Sequence, residues 1–202
     1  MSGQTSPGSR MKPTVYSHRT TAAIALALTG CAASIASLFA TPVEGLSPLA
    51  CGIEALSCDV ALTSQFSHIA GVPLGVFGLF YFTLWTLTLS ASLLTGFPLF
   101  RVCLSYLSLV GGASSIALGF IMLGILKAPC LYCLLSHFSN LVAFTLVWPL
   151  LSWRLPCHPK RREWFLLLTL LLTSALASTT LFFYNESRTL SAQIEESKQT
   201  LW

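Results

Sequence analysis

The chain has 202 residues, of which 54% are hydrophobic and only 9% charged, with a positive mean hydropathy; a water-soluble domain of this size does not carry that balance. The composition is that of a polytopic membrane protein, and no nucleic-acid signature accompanies the net charge of +4, whose distribution matters more than its sum. Seven cysteines in such a chain do not make a secreted disulfide scaffold, so each must be placed relative to the bilayer before it has meaning.

Residues 1–19 are polar, rich in Ser, Thr and Gly, and carry Arg10, Lys12 and Arg19; they read as a disordered cytoplasmic arm. Residues 20–40 follow without a charge and, at about 1.5 Å each, suffice for a hydrocarbon core of about 30 Å. This is the first span. A cleaved signal peptide competes for the same stretch, but Leu38 stands where a small residue is wanted before Ala40. Residues 41–70 form a polar loop with the breakers Pro42, Gly45, Pro48 and Gly52, the acids Glu44, Glu54 and Asp59, and no Lys or Arg. It holds Cys51 and Cys58. Asp59 is suited to cap a short half-helix reaching about Ser67, and Val60, Leu62, Phe66 and Ile69 would let that helix lie partly in the membrane interface. Gly71-Val72-Pro73 resets the direction.

Further uncharged runs predict spans at about 74–94, 102–126, 130–153 and 164–184. The connections are the short turn Thr95-Gly96-Phe97-Pro98, the tight link Lys127-Ala128-Pro129, and a basic loop ending in Lys160-Arg161-Arg162. Residues 156–184 thus comprise the basic loop and fifth span, and residues 185–202 a polar tail with Glu186, Glu195 and Glu196. With the amino terminus inside, eight of the eleven basic residues fall on the cytoplasmic side, leaving Lys127, Arg188 and Lys198 outside. Positive-inside bias therefore predicts five spans, a cytoplasmic amino terminus and an extracytoplasmic carboxy terminus. Cys51, Cys58, Cys130 and Cys133 all come out on the extracytoplasmic side, which permits disulfides. Cys31, Cys103 and Cys157 scatter elsewhere and read as small apolar or incidental thiols.

Cys130-Leu131-Tyr132-Cys133 is the stretch with chemistry in it. Two thiols three positions apart in the first turn of a helix see the positive end of its dipole, which favours the thiolate that performs disulfide exchange. Pro129 suits the start of that helix, having a fixed φ and no amide to satisfy. The same spacing also serves zinc sites and occurs by chance in apolar helices. A tetrathiolate zinc site across the two pairs is disfavoured because the loop cysteines lie seven positions apart in the numbering, 51 to 58, wider than zinc knuckles use. No metal is expected. One pair in a loop and one at a helix start is what a two-step electron relay needs, the loop pair meeting an outside partner and the helix pair staying near the acceptor.

These residues carry a resemblance. Cys58-Asp59-Val60-Ala61-Leu62-Thr63-Ser64, then Gly71-Val72-Pro73-Leu74 and an aromatic-rich helix, then Cys130-Leu131-Tyr132-Cys133-Leu134-Leu135-Ser136-His137 and Asn140, resemble the vitamin K epoxide reductase family, specifically its bacterial, DsbB-like branch, over about residues 20–155. The resemblance implies an all-α fold, a four-helix bundle around a quinone, with a fifth transmembrane helix added. It implies catalytic roles in sequence: Cys51 exchanges with a partner dithiol, Cys58 passes electrons to Cys130, and Cys133 faces the quinone and reduces it. Ser64 matches the family serine near the quinone and Cys133. The animal vitamin K enzymes have an asparagine in the second span and a tyrosine one turn after the second helix cysteine, where this chain has Leu74 and His137. That departure and the fifth span favour ubiquinone or menaquinone as the cofactor over vitamin K epoxide.

His137 lies four residues after Cys133 and so shares its helix face, where it could hydrogen-bond a quinone carbonyl or carry its protons; otherwise it is a histidine satisfied between packed helices. Asn140 should face the bundle interior for the same reason that polar groups in spans generally do. Phe77, Phe80 and Tyr81 are candidates for the quinone pocket, against a plain packing role. The functional expectation is a bacterial inner-membrane enzyme that reoxidises a periplasmic thioredoxin-fold partner of the DsbA kind and drives disulfide formation. The partner would be separate or a lost carboxy-terminal fusion. The alternatives are a vitamin K type reductase of the endoplasmic reticulum and a non-catalytic membrane protein with structural cysteines.

Overall fold

The computed structural model describes residues 13–40, 58–151 and 161–199. Helix α1 (Pro13–Phe39) takes in part of the expected amino-terminal arm, since Pro13 needs no amide partner in a first helical turn. The short α2 (Cys58–Thr63) and a 3₁₀ turn (Gln65–Ser67) are the expected half-helix, but it starts at Cys58, two residues before the Val60 start that an Asp59 cap would set. Leu62 is buried, while Val60, Phe66 and Ile69 are exposed.

The reset at residues 70–73 is a miniature hairpin. Strand β1 (His68–Ile69) pairs antiparallel with β2 (Val72–Pro73), and Ala70 (φ 51°) and Gly71 (φ 81°) form the turn with two positive φ angles that a two-residue hairpin loop demands. Helix α3 (Leu74–Thr95) ends at Gly96, which takes the left-handed conformation and returns its amide to Ser92 at 3.1 Å. Pro98 then opens α4 (Pro98–Phe120) within its first turn, so this span begins four positions before 102.

Two departures from the expected helices lie beside the cysteines and at the far end of the same helix. The last turns of α4 widen into a π-helix over Ile121–Leu126, closed by Lys127 with φ 52°. Helix α5 (Leu131–Val147) begins after Cys130 and ends before 153, because Pro149 lacks an amide and crowds the carbonyl four residues earlier; a 3₁₀ turn (Trp148–Leu150) finishes it. Helix α6 (Arg161–Gln199) is a single 39-residue helix, about 58 Å long, of which residues 161–187 are apolar enough to span. It absorbs the fifth span and most of the expected tail.

Helix α1 packs on α3 and α5, and α4 packs on α3 and α5, so the four close a ring; α6 lies outside, chiefly against α3. The chain is thus an all-α polytopic membrane protein. One half of the ring is filled by Ala23, Ala27, Phe82, Trp85, Leu89, Leu104, Ala143 and Val147. Trp85 is buried there, and its indole N–H donates to Ser108 at 2.9 Å, joining α3 to α4. In lipid, such close packing and interhelical hydrogen bonds replace the hydrophobic force that assembles soluble bundles.

Candidate functional site

The other half of the ring is open. A cavity of about 560 Å³ lies between the second half of α1, the start of α3, the second half of α4 and the start of α5, roofed by α2 and the residues after it. This is the size of a pocket for a small organic molecule.

Cys130 is the N-cap of α5, with extended φ −104° and ψ 126°, rather than a residue of its first turn. That is where the amides of the second and third helical residues converge, and those of Tyr132 and Cys133 act on the Cys130 sulfur. The Cys133 thiol also hydrogen-bonds it. Both cysteines are free thiols. The Cys130 backbone is held from α4: its amide donates to the Met122 sulfur at 3.4 Å, and the Met122 carbonyl accepts the Ala128 amide at 3.3 Å and that of Lys127. The π-helical turn thus sets Met122 under the Cys130–Cys133 thiol pair, in keeping with the frequent use of such turns at functional sites.

Cys58 is disulfide-bonded, and neither Cys130 nor Cys133 is its partner. It is buried in one apolar cluster with Ala61, Leu62, Met122 and Cys130, against which Cys133 packs. Cys133 lines the cavity and Cys130 does not, so Cys130 stands between the loop side and the cavity side. Cys51 and Cys157 lie outside the described residues. Cys31 meets Thr83 Oγ1 at 3.9 Å in the packed half of the bundle, and Cys103 is half-buried in α4, both away from the cavity.

Ser64, Phe77, Tyr81, His137 and Asn140 all line the cavity, as does Leu74. Phe80 does not; it stands about 100° round α3 from Tyr81 and turns away from the others. The Tyr81 hydroxyl donates to Asn140 Oδ1 at 2.7 Å, and Asn140 Nδ2 donates to Ser115 Oγ at 2.8 Å, linking α3, α5 and α4. The Tyr81 hydroxyl nestles against Gly111, where any Cβ would strike it.

Most cavity hydroxyls spend their hydrogen on helix carbonyls. Ser34 donates to Gly30, Ser37 to Ser34, Ser64 to Ala61 and Ser114 to Val110, while Ser67 serves the carbonyls of Leu62 and Ser64. The side chains of Ser136 and His137 line the cavity with no hydrogen bond to another described residue, one turn beyond Cys133. They are therefore the donors available to a bound acceptor oxygen, and the cavity fits a ring with polar carbonyls in an apolar surround. Met122 and Ser115 are site residues that sequence reasoning did not single out. A methionine eight residues before a helix-start cysteine carries no signal without the π-turn, and Ser115 resembles any other serine in a span.

No curated protein and no solved structure matches the chain. A family model described as the vitamin K epoxide reductase family matches residues 21–148, from the first span through α5. Members of this family are membrane oxidoreductases that couple thiol–disulfide chemistry to quinone-type substrates, and the chain, a multi-pass membrane protein with two paired thiols of which Cys133 lines the bundle cavity, belongs to the vitamin K epoxide reductase family.

Proposed function

We propose that this protein, as a bacterial-branch, DsbB-like member, takes electrons from a periplasmic thioredoxin-fold dithiol of the DsbA kind and delivers them to ubiquinone or menaquinone. The observation that carries the reading is the order of the sulfurs. Cys58 shares a buried cluster with Cys130, while Cys133 alone of the three faces the cavity. In the relay, Cys130 and Cys133 oxidise to a disulfide and release two electrons and two protons, which convert the quinone to its hydroquinone. The thiolate of Cys58 then attacks Cys130, Cys51 resolves the mixed disulfide, and the helix pair is again reduced. A disulfide on Cys58 alongside free Cys130 and Cys133 matches the stage that follows this exchange. The partner's dithiol reduces the loop disulfide and is itself released oxidised.

His137 and Ser136 are the donors for a quinone oxygen, and the uncommitted state of their hydrogens supports that role. Leu74 and His137, lining the cavity where the animal enzymes have asparagine and tyrosine, support a respiratory quinone over vitamin K epoxide. A partner near −120 mV gives a downhill flow to such quinones. Charge asymmetry supports a cytoplasmic amino terminus in the bacterial inner membrane, with the four relay cysteines facing the periplasm. The test is quinone reduction by detergent-purified protein supplied with a reduced DsbA-type partner and followed by quinone absorbance. Turnover in wild type that vanishes in Cys133→Ala is expected; turnover retained in that variant overturns the role of Cys133.

A further inference from the structure

We propose that Tyr81, Asn140 and Ser115 form a reversible hydrogen-bond chain that tells quinone from hydroquinone, an inference that rests on reading the cavity as the quinone site. The chain runs in one direction: Tyr81 hydroxyl to Asn140 Oδ1, then Asn140 Nδ2 to Ser115 Oγ. All three residues are on the cavity wall. In this direction the Tyr81 hydrogen is committed to Asn140, so the phenol oxygen has only lone pairs to offer the cavity. A hydroquinone hydroxyl can donate to such an oxygen. A quinone carbonyl, which only accepts, cannot.

The chain can run the other way without moving a proton between residues. Ser115 donates its own hydrogen to no described residue, unlike the neighbouring Ser114, whose hydrogen goes to the Val110 carbonyl. Rotation of the Asn140 amide by half a turn brings Oδ1 to Ser115 and Nδ2 to Tyr81. Ser115 then donates to Oδ1, Nδ2 donates to the phenol oxygen, and the Tyr81 hydrogen is freed toward the cavity for a quinone carbonyl. In both directions the Asn140 oxygen accepts and its amide nitrogen donates, which a buried amide needs. Gly111 leaves room for the phenol to stay in place through the reversal, because it has no Cβ to press on the hydroxyl. The device gives the oxidised substrate and the reduced product one matching wall each.

Asn140→Asp makes the chain lockable. An ionised carboxylate only accepts, so it holds both Tyr81 and Ser115 as donors toward it and keeps the Tyr81 hydrogen from the cavity; a protonated one restores both directions. Binding of a short-chain ubiquinone and of its hydroquinone is measured anaerobically in a Cys133→Ala background, which stops electron transfer. With Asn140→Asp added, quinone affinity is expected to fall about tenfold as pH rises through the new carboxyl's titration, while hydroquinone affinity stays within about twofold. The Asn140 parent, titrated alongside, accounts for His137 and Tyr132 on the same wall. Equal weakening of both forms, or no pH-dependent difference between them, overturns the switch and leaves the quinone reading standing. Failure of the Asn140 parent to bind either form overturns the quinone reading itself. If Asn140→Asp does not fold, the infrared difference spectrum of the Asn140 parent with ring-labelled tyrosine decides: a phenol band that shifts on replacing quinone by hydroquinone and is absent in Tyr81→Phe supports the reversal, and an unshifted band overturns it.

Discussion

The two halves of the bundle are built from the same four helices and differ in what stands between them. In one half, Phe82, Trp85, Leu89, Leu104 and Val147 meet in a continuous core. In the other, serines, small residues, aromatic rings and the Asn140 amide are among the groups that line a cavity of about 560 Å³. The difference teaches where this fold keeps its stability and where it keeps its chemistry. Large apolar side chains hold the helices at one end, so the other end can stay open without collapsing, since an unfilled volume forfeits the packing its walls would have made.

Five substitutions test that division. Cys133→Ala removes the only sulfur of the proposed relay that faces the cavity among the described residues, and it should abolish quinone turnover while shifting the thermal midpoint in detergent by no more than a few degrees. A large loss of stability in that variant would mean that the open half also carries the fold. Trp85→Ala should do the reverse, costing about 3–5 kcal/mol in unfolding measurements while the folded fraction keeps turnover within about twofold. Gly111→Ala sits on the border. It should push Tyr81 from Asn140 and raise KM for quinone about tenfold, with a smaller change in kcat, as steady-state titration of quinone would show. The smallest effect sharpens the boundary within a single helix: Phe77→Ala should raise KM about threefold and Phe80→Ala leave it unchanged.

Much of this division was legible in the chain. Uncharged runs of about 20 residues located the spans because a helix of that length satisfies its own backbone in lipid, and the Cys130 to Cys133 spacing placed two thiols at one helix start because that spacing is local. Tyr81, His137 and Asn140 were legible as groups that a lipid-facing surface would not tolerate or would not need. Helix ends were less so. Pro149 is visible in the sequence, yet the uncharged run continues past it, so hydropathy extends α5 beyond the turn that proline enforces. The π-turn over Ile121–Leu126 depends on how α4 meets the Cys130 backbone, a tertiary cause with no local pattern. Ser115 could not be told from Ser114, because their difference lies in which neighbour each hydroxyl meets across the bundle. Phe80, a pocket candidate by its chemistry, does not line the cavity because of its angle around the helix.

The grip of Met122 on the link before α5 has a consequence in time. Three amides, those of Lys127, Ala128 and Cys130, end on one residue, through its carbonyl and its sulfur. A segment so fastened opens rarely, and its amides should exchange slowly with solvent deuterium. In the proposed relay the helix pair is then the stationary electrode. Helix α2, six residues long, is too short to persist without its packing, so in the proposed relay the excursion that brings sulfur to sulfur would fall to Cys58, and its frequency would set the pace at which electrons arrive.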